Sequence, residues 1–215
     1  MKQLTSLLCL SLFLSTSAHS SITFDIQAED LRTSGGAIPT DGLVILVADT
    51  GNNGFGAVEA NRTFSSGSFL NAANDDQILW KNSIANTAGP NTGAFADFTS
   101  ALNLDANWTT GDPLALLWFP TLTNATASST ANDSYGLFSG PALNGSNSWV
   151  TPSNGASSYK LYFFTSSATG GTLGATGSHA NSLGNASLTV TGVPEPSRSL
   201  LGLIGFGVLA LRRRR

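Results

Sequence analysis

Apolar positions come in short bursts along this chain. Between Ser21 and Gly192, runs of aliphatic, β-branched or aromatic residues recur every ten to twenty positions, separated by Gly, Ser, Thr, Asn and Ala. That spacing predicts strands joined by turns rather than helices. The strands fall at 21–28 (SITFDIQA), 42–48 (GLVILVA), 77–80 (QILW), 114–119 (LALLWF), 134–138 (SYGLF), 159–165 (YKLYFFT) and 186–191 (ASLTVT). In the first of these, Ile22, Phe24 and Ile26 share one face, and in the last Leu188 and Val190 do, the pattern of half-buried antiparallel strands. The second and fourth are apolar throughout, which predicts central strands covered on both sides.

With turn-rich joins such as GNNG and PSNG, the expected fold is all-β, a single antiparallel β-sandwich or jelly-roll-like domain. The stretch 74–86 (NDDQILWKNSIAN) also carries a helical reading, with Asn74 as N-cap and acids in the first turn. Trp80, Trp108, Trp118 and Trp149 are spread too widely to suggest a stacking platform and read as packing residues of the core or rim. No internal repeat of fixed period is present, so solenoids and propellers fall away.

The two ends of the chain are of another kind. Residues 1–20 have a positive start at Lys2, an apolar core and then small residues, the layout of a secretory signal peptide. Ala18 and Ser20 sit at the −3 and −1 positions of the favoured cut before Ser21, while Thr16 and Ala18 would serve a cut before His19. The expected organisation is a signal helix over 1–20, a β-rich domain over 21–192 and a distinct tail over 193–215, with a short C-terminal transmembrane helix. Cys9, the only cysteine, lies in the signal, so the domain has no thiol, disulfide or cysteine metal site.

Charge is distributed unevenly. Residues 21–192 hold four basic side chains, Arg32, Arg62, Lys81 and Lys160, against twelve acids, a net charge of −8. That balance excludes nucleic acid as the expected partner, since phosphate binding needs clustered Lys and Arg. After the first strongly apolar strand comes VADTGNNGFGAVE, 47–59, in which Asp49, Asn52 and Asn53 offer closely spaced oxygens with the character of a calcium loop. It departs from the EF-hand template: with Asp49 as position one, Gly51 stands third and Ala60 twelfth, Glu59 being one residue early. An Asn-Gly-rich turn between strands explains the same residues.

For catalysis the inventory is thin. His179 is the only histidine after the signal and sits in a polar stretch, where a solvated loop histidine is the ordinary explanation. There is no G-x-S-x-G elbow, metalloprotease helix, phosphate loop or dinucleotide fingerprint. The acid pairs Asp75-Asp76 and Glu29-Asp30 suit neither strand nor helix-start geometry for a glycosidase. The expectation is therefore a non-enzymatic protein.

The tail reads VPEPSRSLLGLIGFGVLALRRRR. Its apolar stretch 200–211, opening at Leu200 and closing at Leu211, would rise only ~18 Å as a helix, against a hydrocarbon core of ~30 Å. Arg212, Arg213, Arg214 and Arg215 then act as a membrane stop, because each arginine at mid-membrane costs ~2.5 to 3.5 kcal/mol. Pro194-Glu195-Pro196, the short apolar segment and the basic end, in that order, resemble the PEP-CTERM sorting domain of Gram-negative bacteria. The resemblance implies processing partners, signal peptidase and exosortase, a membrane-embedded transpeptidase-like enzyme cutting near Pro-Glu-Pro. It also implies a membrane-anchored, then cell-surface or extracellular-matrix destination, often connected with extracellular polysaccharide. VADTGNNGFG and GDPLALLWFP (111–120) are similar to passenger domains found with such tails, which have no assigned activity. The alternative expectation is a carbohydrate-binding module, with or without calcium, acting on that polysaccharide.

Overall fold

A computed structural model of the chain describes residues 21–87, 93–103, 107–153, 155, 156, 158–165 and 177–192. The described chain is β-rich and forms two sheets. Strands are β1 (Ser21–Leu31), β2 (Leu43–Asp49), β3 (Asp76–Ser83), β4 (Ala85–Thr87), β5 (Gly93–Asn103), β6 (Leu114–Phe119), β7 (Ser134–Phe138), β8 (Tyr159–Phe164) and β9 (Leu188–Thr189), with one short 3-10 turn at Asn181–Gly184. The helical reading of 74–86 is overturned: Asp76–Ser83 pairs antiparallel with β2, from Asp49↔Asp76 to Leu43↔Ser83. Pairing with an apolar neighbour outweighs a local cap signal there.

One sheet has the order β4-β5-β1-β8 and the other β3-β2-β6-β7-β9. The second is antiparallel throughout, but in the first β1 and β8 run parallel, Phe24↔Tyr159 to Glu29↔Phe164, so that sheet is mixed. A parallel pair needs a long crossover, and the chain between β1 and β8 supplies one by building most of the other sheet. β5, whose small and polar residues gave no strand signal, forms along β1 over Ser21↔Asn103 to Leu31↔Ala94.

Ile22, Phe24 and Ile26 of β1 share a buried cluster with Leu161 and Phe163 of β8, Val44 and Leu46 of β2, and Leu116 and Trp118 of β6. Strand periodicity sends the odd-numbered side chains of β2 and β6 to the opposite face. There Leu43, Ile45, Val47, Leu117 and Phe119 meet a second apolar layer, Val58, Phe64 and Leu70. These come from residues 50–75, a long irregular segment between β2 and β3 that lies as a strap over the outer face. Burying a side chain of this size contributes about 2 kcal/mol. The continuous apolar runs of β2 and β6 are thus explained, since every residue of both is buried.

Irregular chain lies along the β3 and β8 edges and just past β9. Along β3, Gly67 N–H donates to Ile78 O at 2.8 Å and Ile78 N–H to Ser68 O at 2.8 Å. Beyond β9, Thr191 N–H donates to Val58 O (2.9 Å) and Ala60 N–H to Thr191 O (2.8 Å). Along β8, Asn147 N–H reaches Lys160 O at 2.7 Å and the Ser146 hydroxyl accepts from Tyr162 N–H at 3.1 Å. β9 is shorter than its sequence suggests. Val190 turns inward and is buried, while Leu188 is 42 % exposed, so these two do not share a face.

Trp118 and Gly136 stand opposite in the β6–β7 register. The indole lies over the glycine, packs on Phe163 at 5.5 Å and donates to Arg32 O at 3.2 Å. A Cβ at position 136 would run into that ring. Gly136→Ala is expected to lower stability by about 1–3 kcal/mol, as an overpacked core does. Gly140→Ala, whose methyl has ordinary contact with Phe138, should change it by less than about 0.5 kcal/mol. Urea midpoints of the two variants check the contrast.

Candidate functional site

At one end of the antiparallel sheet four carboxylates gather where β2 stops, β3 starts and β6 begins. Asp49 and Asp76 face each other in register, and both are fully buried. Asp112 lies just ahead of β6, with Asp49 N–H donating to Pro113 O at 2.9 Å. Asp75 is half-buried beside Asp76.

Each carboxylate organises backbone. Asp49 Oδ1 accepts from Gly51 N–H (3.1 Å) and Oδ2 from Gly54 N–H (2.8 Å), which closes the turn; Gly54 takes φ +95° and Asn52 φ +52°. Asn is among the few side chains that tolerate this left-handed conformation. Asp112 accepts from Thr109 N–H (2.6 Å), the Thr109 hydroxyl (3.2 Å) and the Asn52 amide (3.2 Å). Asp75 accepts from the Asn53 amide at 2.8 Å, and Asp76 from Gly56 N–H (2.8 Å) and the Asn71 amide (3.1 Å).

Of the expected calcium ligands, then, Asp49 caps its own turn, while Asn52 and Asn53 donate to Asp112 and Asp75. Glu59 is held by Arg62 at 2.6 Å, and that hydrogen bond keeps its carboxyl below the usual range. Among the described residues no three His, Cys, Asp or Glu side chains form a group able to hold a metal ion. Asp76, Asn71 and Asp112 belong to this end of the sheet yet carried no sequence signal as a set. The Asp-Asp doublet was visible, but the contacts that join it to Gly56 and Asn71 are set by the strap.

Burial pushes the Asp76 carboxyl up to about 6, reinforced by the negative charges of Asp75 and Asp49 and opposed by the Gly56 and Asn71 hydrogen bonds. Burial likewise raises the Tyr135 hydroxyl, against the Val58 N–H it accepts at 3.4 Å.

His179 is no solvated loop residue. Its ring lies edge-on to Phe138 at 4.5 Å, and its two nitrogens face Phe164 O (3.2 Å) and Pro141 O (3.1 Å), main-chain carbonyls rather than a hydroxyl or carboxylate. Glu29 and Asp30 do not alternate faces either. A bulge between Ala28 and Leu31 buries both, with Asp30 at φ +63° and bonded to Arg32 through both oxygens at 2.7 Å. Trp108, Trp118 and Trp149 are buried and Trp80 is half-buried, as packing residues should be. A cleft of about 410 Å³ opens between Ser66-Gly67, the start of β3, Leu102 and Trp108, with no titratable side chain among the described residues of its wall.

The expected cleavage residues Ala18 and Ser20, the motif Pro194, Glu195 and Pro196, and Arg212 to Arg215 lie outside the described residues. Among those described, no helix is long and apolar enough to cross a membrane. Compared with family models, curated proteins and solved structures, the chain matches none.

Asp112 is 4 % exposed and carries three accepted hydrogen bonds. Asp112→Ala should cost about 2 kcal/mol by leaving those donors unserved, and Asp112→Asn, which keeps one acceptor oxygen, less. Urea denaturation of both variants measures the difference.

Proposed function

We propose that the chain is an exported bacterial surface or extracellular-matrix protein. Its 21–192 region, read as a single β-sandwich with the two described sheets as layers, is a non-enzymatic passenger. The observation that carries this reading is the order of elements in the tail: Pro194-Glu195-Pro196, the apolar stretch 200–211, then Arg212 to Arg215. Separately these are common, but in sequence they form a sorting label that exosortase would cut, while the arginines hold the C-terminus in the cytoplasm.

From Ser21 to Leu31, β1 is paired antiparallel with β5. At the far end, Thr191 is hydrogen-bonded to the strap three residues before Pro194.

Carbohydrate binding is the second reading, and the cleft beside Trp108 is the feature that favours it. It is carried less far, because three of the four indoles on which a sugar could stack are committed to the core.

Replacing Pro194, Glu195 and Pro196 together by alanine should leave export and removal of the signal intact while the tail stays uncut. Intact-mass measurement of protein from cells and medium reads both ends. If the triple variant loses its tail and is released like the parent, the sorting reading is wrong.

A further inference from the structure

Asp76 stands out within the acidic end of the sheet. It is the first residue of β3, its side chain is fully buried, and its two oxygens are treated differently. Oδ2 grips the strap at two separated points, Gly56 N–H and the Asn71 amide, whereas Oδ1 is buried with no hydrogen-bond partner. A Cβ at position 56 would crowd both Asn71 and Asp76, so the glycine is what lets the backbone come this close. A buried carboxylate oxygen left without a partner is expensive unless its charge is removed.

The surrounding charges decide how it is removed. Across the strands Asp49 faces Asp76 in register; Asp75 is its chain neighbour; from β7 comes the neutral hydroxyl of Tyr135. On the strap, Glu59 and Arg62 pair with each other. Asp112 is occupied by Thr109 and Asn52. Hence, among the described residues, the groups that act on Asp76 bring two negative charges and no cation. Of the two facing acids, Asp49 has a backbone donor on each oxygen, whereas Asp76 has both of its donors on Oδ2 and none on Oδ1. A proton on Asp76 therefore sits on Oδ1, where it removes the unpartnered buried charge while Oδ2 still accepts both strap bonds.

We propose that Asp76 is a proton-controlled fastening for the strap: protonated, it holds residues 55–71 against the outer face of the sheet, and ionised, it loosens them. The sign follows from a folded-state carboxyl raised from 3.8 to about 6. Stability conferred by the proton is complete below the unfolded value and is lost as pH rises through about 6. The gap corresponds to about a 100-fold change in the folding equilibrium.

Hydrogen exchange of the full chain in detergent micelles, corrected for intrinsic rates, tests this at about pH 4.5 and about pH 7.5. Strap amides in the parent should be about 30-fold less protected at the higher pH, while amides of β1 and β8 change less. In Asp76→Asn, which keeps an acceptor without a charge, strap protection should no longer depend on pH. Carbon-13 NMR of the Asp side chains in the parent, independent of any variant, should show one buried carboxyl titrating near 6. A parent strap indifferent to pH, a variant that keeps the parent's dependence, or no carboxyl titrating in that range would each overturn the proposal. Calcium alone, added at the higher pH, should leave strap exchange unchanged; recovery to the acidic level would overturn it and assign the position to a cation.

Discussion

A sheet whose central strands are apolar on both faces must be covered twice. β2 and β6 carry that requirement in every residue, and the rest of the molecule is arranged to meet it. The β1–β8 sheet covers one face. Among the described residues, the other is covered by the strap, 50–75, a connection far longer than the two to five residues that join most hairpins. Val58, Phe64 and Leu70 give it an apolar underside, and Phe64 meets Phe119 at 4.9 Å. The hydrogen bonds to Asp76, Tyr135 and Thr191 hold that underside in register.

The strap has a second duty. Exposed strand edges invite pairing with other chains, and here the strap supplies backbone partners to β3 on one side and to Thr191, just past β9, on the other. One irregular segment thus hides an apolar face, closes the β3 edge and ties down the chain just past β9. The β8 edge is closed in the same manner by Ser146 and Asn147.

What could be read in the sequence followed from how local the cause was. β6 and β7 were legible to the residue, because continuous apolar composition and flanking turns are properties of the segment itself. β5 was not, since Gly93–Asn103 becomes a strand by lying along β1. The helical reading of 74–86 failed because Asp76 is positioned by Asp49, far away in the chain. At the acidic end the loop 49–54 was recognisable, yet Asn52 finds its acceptor in Asp112, 60 residues on. The Glu29-Asp30 bulge had no visible cause, as it depends on Arg32 and on the close approach of Gly184 to Asp30 O.

The bonds of Thr191 to the strap also fix how the domain bears load. A pull on Gly192 reaches the fold first through Val58 and Ala60, then through the two residues of β9 on β7. Those few bonds would break in succession, as a zip opens, while the long β1–β5 and β2–β6 ladders, loaded later, share the force along their length. On that side few bonds stand between a pull and the strap. There the first element to yield under tension is the cover of its own second core.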